Sequence, residues 1–365
     1  MSADIEVGSV PIGTEAAIVT RSIGSGPLVV LIPSWARGAS DFDALMMALA
    51  AAGYRALAIN PRGVEGSTGP LEDFTTWRAA ADVAAVIEAA GEGPAFALGH
   101  AGGNRVARAL ATRRPDLVRA VILLAAGGRH RDPMKFELFA NETMFREPPR
   151  ETFLRVMHDS GFFAPTSDPA VWLGGWWRQT ARPQAEGNQA VDPRQWWAAG
   201  GKPVLVVQGL EDGIAPPENG RELKGLYPDR VTLVEIDKAG HALLPEQPAL
   251  IARAVVQWLD GFVGEAPRRE RMADADFFRL EAARRREGPG RHTHAAPGVT
   301  RHSYATYRGV IERGQLYCLR APLTGPAGPS PGGGERSCAA QAALDCGRRG
   351  RVGVFAMTTD LVLST

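Results

Sequence analysis

Cysteine is scarce in this chain and badly placed for any framework. Its three cysteines, Cys318, Cys338 and Cys346, all lie in the last quarter of 365 residues. Their odd number and loose spacing make neither a CxxC pair nor a disulfide scaffold. No stretch approaches the ~18 consecutive apolar residues of a membrane-spanning helix. The first residues, Met1-Ser-Ala-Asp-Ile-Glu-Val, have neither the basic nor the apolar region of a signal peptide, so a soluble cytoplasmic protein is expected. A net charge of +1 excludes an overall attraction to nucleic acid or anionic membrane, leaving a small-molecule substrate as the expected partner. No G-x-G-x-x-G follows the first strand, so no dinucleotide cofactor is expected. The loose set His292, His294 and His302 falls short of a metal site, and no metal or other cofactor is expected.

The near-neutral total conceals an asymmetry. From Glu265 onward there are 16 arginines, no lysine and 10 acidic residues, a net +6 against −5 for residues 1–264. This stretch also holds Gly325-Pro326-Ala327-Gly328-Pro329-Ser330-Pro331 and shows no sustained period, so residues 265–365 are expected to be a largely disordered or weakly structured extension. A short helix near Asp274–Arg286 and strands at Gly353–Met357 or Leu361–Leu363 are the exceptions expected there. An all-arginine composition also fits a fusion scar or shifted frame.

What is present in residues 1–264 is an alternation of apolar runs and amphipathic helices. Strands are expected at Glu15–Arg21, Pro27–Pro33, Tyr54–Ile59, Pro94–Gly99, Val118–Leu124, Pro203–Val207 and Val231–Ile236. Helices are expected at Asp41–Ala52 (capped by Ser40), Thr75–Ala90, after Gly102, at Glu218–Leu226 and at Pro248–Phe262. Such an order gives a mostly parallel sheet covered on both faces, with its site at the carboxyl ends of the strands. Residues from about 130 to 200 interrupt the pattern and carry five of the eight tryptophans, Trp172, Trp176, Trp177, Trp196 and Trp197. An aromatic insertion placed there is expected to be a helical cap, most of its rings packing on one another and some facing the cleft.

The chain is organised around Gly99-His100-Ala101-Gly102-Gly103. It follows a buried strand and opens a helix, which is the layout of a nucleophile elbow, G-x-S-x-G. Its central residue is alanine, and a methyl group cannot attack a carbonyl. Two further loops lie at strand ends: Gly209-Leu210-Glu211-Asp212-Gly213-Ile214-Ala215-Pro216 and Ala239-Gly240-His241-Ala242-Leu243-Leu244-Pro245-Glu246.

Together these motifs resemble the α/β-hydrolase superfamily over residues 15–263, in its chain order of elbow, acid and histidine. Leu31-Ile32-Pro33-Ser34-Trp35 stands where that family has its H-G-x oxyanion loop, and Asn60-Pro61-Arg62-Gly63-Val64-Glu65-Gly66-Ser67 is similar to its D-x-R-G-x-G-x-S turn. The resemblance implies His241 as base, Asp212 as its orienting partner and Ala101 in the nucleophile's seat. It also implies an oxyanion hole from the amides of Trp35 and Gly102, with Ser34, His100, Trp172, Trp176 and Trp177 contacting substrate.

The alanine leaves three readings open. It is a Ser→Ala replacement, a natural variant akin to L-P-S-loop sequences that carry G-H-A at the elbow, or the mark of an inactive ligand-binding protein. The expected function is hydrolysis of a small to medium apolar ester or lactone, acyl-homoserine lactones included. Lyase or cofactor-free oxygenase chemistry by the same His-Asp pair is the other enzymatic reading.

Overall fold

The computed structural model describes residues 4–263, together with the backbone of residues 307–312 and 315–320. Eight strands form one sheet: β1 (Glu6–Ile12), β2 (Ala16–Ile23), β3 (Leu28–Ile32), β4 (Arg55–Ile59), β5 (Ala95–His100), β6 (Val118–Leu124), β7 (Val204–Gly209) and β8 (Val231–Ile236). Their order is β1-β2-β4-β3-β5-β6-β7-β8. Pairing is antiparallel where β2 meets β1 and β4 and parallel through the rest of the sheet.

The most apolar runs are strands inside the sheet. Every residue of β3, β5 and β7 is buried. Along β3 the side chains alternate between two cores, Val30 and Ile32 on one face and Val29 and Leu31 on the other, as the two-residue period requires. Helices α1 (Asp43–Ala51), α2 (Thr76–Ala90) and α3 (Gly103–Arg113) follow β3, β4 and β5 in turn. Ala80 and Val83 of α2 and Ala107 and Leu110 of α3 close the first core. Leu45 and Leu49 of α1 and Ile251 and Val255 of the last helix close the second.

Several expected ends move. Strand β1 has no counterpart in the sequence reading, because none of its seven residues is buried and it lacks a clean alternation. Ser40 does not cap α1: it lies exposed in a short turn, Ala39–Phe42, that precedes the helix, whose start has no side-chain cap. Thr75 does cap α2, its hydroxyl accepting the Arg78 amide at 3.2 Å.

Between β6 and β7 the insertion folds into α4 (Pro133–Phe139), α5 (Arg150–Asp159) and α6 (Arg178–Gln189) with short turns between them. Phe139 stacks on Phe162 at 4.4 Å, and Phe153, Phe163, Trp172 and Trp176 complete an aromatic core. Trp196 and Trp197 depart from it. They pack on the α2/α3 side of the sheet, where the buried Arg108 guanidinium lies 4.5 Å from the Trp197 ring. After the insertion come α7 (Glu218–Leu226) and α8 (Pro248–Val263).

In the extension, β9 (Tyr307–Glu312) and β10 (Gln315–Arg320) pair as a two-stranded sheet, structure the composition did not announce. The helix expected at Asp274–Arg286, the strands expected beyond Gly353, the histidine set and the boundary near residue 264 lie outside the described residues. Among the described residues, no helix is long and apolar enough to cross a membrane.

The sharpest packing constraint is at the crossing of β3 and α3. A methyl group on Gly103 would sit 2.2 Å from the Ile32 carbonyl oxygen and 2.7 Å from that of Pro33. Both obstacles are main chain, so the strand end must move. Gly103→Ala is expected to destabilise the fold toward the upper end of the ~1–3 kcal/mol typical of overpacking. Urea unfolding followed by circular dichroism measures it; an unchanged midpoint would refute the constraint.

Candidate active site

Three loops meet at the carboxyl ends of β5, β7 and β8. The first is the elbow. Gly99 has no room for a Cβ, which would lie 2.4 Å from the main chain of Gly103. That approach forces a tight turn, and Ala101 takes its corner with φ +48°, in the left-handed region. Its amide donates to the Leu124 carbonyl at 2.9 Å. Asn104 ties the start of α3 to the end of β6, its Nδ2 donating to the Leu124 and Ala125 carbonyls at 2.8 and 3.0 Å. Ala36, after β3, and Ala125, after β6, are left-handed as well, with φ +56° and +53°. Backbone outliers of this kind gather where a fold must aim groups into a site.

The second and third loops bring Asp212 and His241 together. His241 Nδ1 lies 2.9 Å from Asp212 Oδ2 and 3.1 Å from Oδ1, both residues being buried. A carboxylate only accepts, so Nδ1 carries the proton and Nε2 is left with the lone pair of a base. The carboxylate is itself held. Oδ1 accepts the amides of Ile214 and Ala215 at 2.9 and 2.7 Å, and Gln208 Nε2 donates to Oδ2 at 3.2 Å. Gln208 also donates to the Ala215 carbonyl and accepts the Ala126 amide, linking the end of β6 to the acid loop. Its signal in the sequence was a lone polar residue in the apolar run Val204–Gly209. Glu211, by contrast, takes no part in these bonds among the described residues.

His100 is wholly buried, and its Nε2 donates to the His241 main-chain oxygen at 2.9 Å. Burial, followed by repulsion from His241, lowers its pKa to about 3, so it stays neutral. Its place is therefore under the histidine loop, supporting it, rather than on a surface a substrate would touch. Glu246 does similar work from the other side. Its two carboxylate oxygens accept the Ala164 amide at 2.7 Å and the Gly240 amide at 2.9 Å, joining the insertion to the residue before His241.

Burial raises the Glu246 pKa above the usual carboxylate range. The folded chain thus holds this proton more tightly than the unfolded chain. The Glu246 contribution to stability is greatest at low pH and declines as pH rises through the window between the two values. Glu246→Ala leaves two inward amides without acceptors, at a cost of roughly 2 kcal/mol or more, and removes that slope. Unfolding midpoints measured against pH for both proteins check each part.

The loop after β3 is bound to the insertion. The Ala36 amide donates to Gln184 Oε1 at 2.8 Å, and the Trp177 amide to the Ala36 carbonyl at 2.9 Å. Arg37 is buried, paired with Asp41 and donating to the Gly174 carbonyl at 2.8 Å; its guanidinium lies 4.1 Å from the Trp172 ring and 4.8 Å from Trp176. These two tryptophans therefore grip an arginine, and Trp172 also meets His100 edge-on at 6.0 Å. The Trp177 ring packs beside Gly38, and Ser34 is half-buried on the loop itself. Among the described residues the amides of Trp35 and Gly102 have no acceptor. The Trp35 indole lies against Gly102, where a Cβ would meet it at 2.4 Å. Among the described residues no group of three or more potential metal ligands occurs.

Comparison with known proteins gives one consistent outcome. A family model described as alpha/beta hydrolase fold matches residues 27–157 and 177–248. N-formylmaleamate deformylase of Pseudomonas putida is 29% identical over 198 residues, covering 51% of this chain and 71% of its own length. The bifunctional esterase/perhydrolase of Acinetobacter calcoaceticus is 29% identical over 219 residues, covering 53% of this chain and 76% of its own. Among solved structures, E-2-(acetamidomethylene)succinate hydrolase superposes with a TM-score of 0.54 at 22% identity, covering 70% of this chain and all of that one.

Proposed function

Since the chain belongs to the α/β-hydrolase family, we propose that it hydrolyses a small to medium apolar ester or lactone with water as the nucleophile. The observation that carries this reading is the His241–Asp212 pair, buried and bonded as a working base requires, beside an elbow whose corner residue has no nucleophile. The esterase/perhydrolase among its relatives supports an ester substrate.

In this reading His241 Nε2 takes a proton from a water molecule, whose oxygen attacks the substrate carbonyl carbon. The carbonyl oxygen gains negative charge, and the amides of Trp35 and Gly102 donate to it. The tetrahedral species then breaks its bond to the alkoxy oxygen, and His241 returns the proton to that oxygen. Asp212 keeps the imidazole in one tautomer and stabilises its charged form without taking the proton. The insertion acts as the cap, its rings favouring an acyl or ring substrate over a charged one.

The discriminating measurement is turnover of an ester and acyl-homoserine lactone panel, followed from the first turnover. Direct water attack predicts steady release with no initial burst of alcohol, because no acyl-enzyme accumulates. A burst would place a covalent nucleophile in the chain. No turnover on any member, alongside ligand-induced stabilisation, would make the protein a binding module.

A further inference from the structure

Away from the catalytic loops a positive charge is buried with nothing to balance it. Arg108, in the second turn of α3, is 1% exposed, and among the described residues nothing accepts from its Nε or Nη1. Its guanidinium lies 4.5 Å from the Trp197 ring and 5.9 Å from the Trp196 ring, and the two rings are 6.3 Å apart. Both indole N–H groups are buried and lack an acceptor as well. These three side chains thus hold four of the eight buried polar side-chain atoms left unpaired among the described residues, and all four are donors. The shortage is of one kind: an acceptor is missing.

The surrounding charges deepen it. Burial, followed by repulsion from Arg105 and Arg230, lowers the Arg108 pKa to about 9, with the Tyr227 phenol opposing, so the group is still charged at neutral pH. Among the described residues neither of those arginines pairs with a carboxylate. Arg105 lies 4.8 Å from the Trp35 ring, and Arg230 stacks on Tyr227 at 4.0 Å and donates to the Lys202 carbonyl at 2.8 Å. Indole faces attract a cation, but they offset only part of the cost of taking a guanidinium out of water. They also supply no acceptor to the indole N–H groups.

We propose that Arg108, Trp196 and Trp197 hold a small monovalent anion, chloride or a carboxylate the size of formate, between α3 and the segment that leads into β7. A water molecule would accept N–H groups but leave the charge standing, whereas an anion answers both needs. Entry is past Trp197, which is half-buried where the other two are fully buried. The segment itself is pressed on the helix, since a Cβ on Gly200 would sit 2.2 Å from the Ala111 carbonyl oxygen. The bound ion ties the chain entering β7 to the helix that begins at the elbow. None of its three ligands belongs to the elbow, acid or histidine loop, so the site does not depend on the hydrolytic reading.

The test is thermal unfolding of the full chain as sodium chloride or sodium formate replaces sodium gluconate at constant ionic strength. The bulky gluconate keeps surface screening unchanged, and the two arms separate a halide from a carboxylate. The midpoint is expected to rise and saturate, by roughly 3–6 °C at ten times the dissociation constant. Arg108→Met replaces the charge with an apolar chain and is expected to abolish the rise. Should that variant fail to fold, Trp196→Phe with Trp197→Phe keeps both rings and removes their donors, and the dissociation constant should grow about tenfold or more. A parent midpoint indifferent to both anions, a rise that never saturates, or a response unchanged in either folded variant overturns the inference.

Discussion

Asp212→Asn is expected to lower ester turnover by roughly 10³–10⁴-fold, with the fold retained. The size follows from how the carboxylate is held. Oδ1 accepts the Ile214 and Ala215 amides, so an asparagine would keep its carbonyl oxygen there. Its NH₂ group would then face His241 Nδ1 and the Nε2 donor of Gln208. Two donors cannot bond each other, and His241 could pair with the amide only by moving its proton to Nε2. The lone pair that should take a proton from water would be lost. His241→Ala removes the base altogether and is expected to cost a similar factor. Initial rates of the two variants and their double mutant check both, and the double should be little slower than either single change. Variants that keep wild-type turnover would remove this pair from the chemistry.

Ala101→Ser is the other large effect, and its sign is positive. The left-handed corner, the two free amides and the oriented imidazole are the surroundings a serine nucleophile needs. A hydroxyl there is expected to raise ester turnover by roughly 10³-fold or more, part of the ~10⁶-fold that a complete triad is worth. It should also introduce an alcohol burst and sensitivity to organophosphates, neither of which is expected of the parent chain. The change adds one oxygen to an existing methyl group and keeps the same backbone, so stability should move by less than ~1 kcal/mol. A variant that neither accelerates nor bursts would mean that the seat and the base do not face each other.

Much of this was legible in the sequence because several strands of the parallel part of the sheet are buried on both faces. Val118–Leu124 stands where its apolar run puts it, and Val231–Ile236, buried only at its two ends, where its β-branched residues put it. The pairing of Asp212 with His241 followed from motif order, since parallel strands deliver successive loops to one edge. The edge strand Glu6–Ile12 escaped notice for the opposite reason: held mainly by the ladder to β2, it needs no apolar pattern.

Contacts between distant loops were also beyond reach. Nothing local in Glu246 announces that it will accept an amide from residue 164, nor in Arg37 that two tryptophans from the insertion will enclose it. The tryptophans themselves were visible as a cluster, but not that Trp196 and Trp197 would leave it for Arg108. Such partners are fixed by tertiary packing, which the spacing of residues along a chain does not encode.

The corner at position 101 also limits how this chain could change its chemistry. A side chain that branches at Cβ is crowded against its own backbone in that conformation, so threonine, valine and isoleucine are poor occupants. Glycine, serine, cysteine, asparagine and aspartate remain, and three of those five bring an atom capable of forming a covalent adduct. From alanine, the routes the backbone tolerates best therefore lead to covalent catalysis: a silent seat, one substitution from speech.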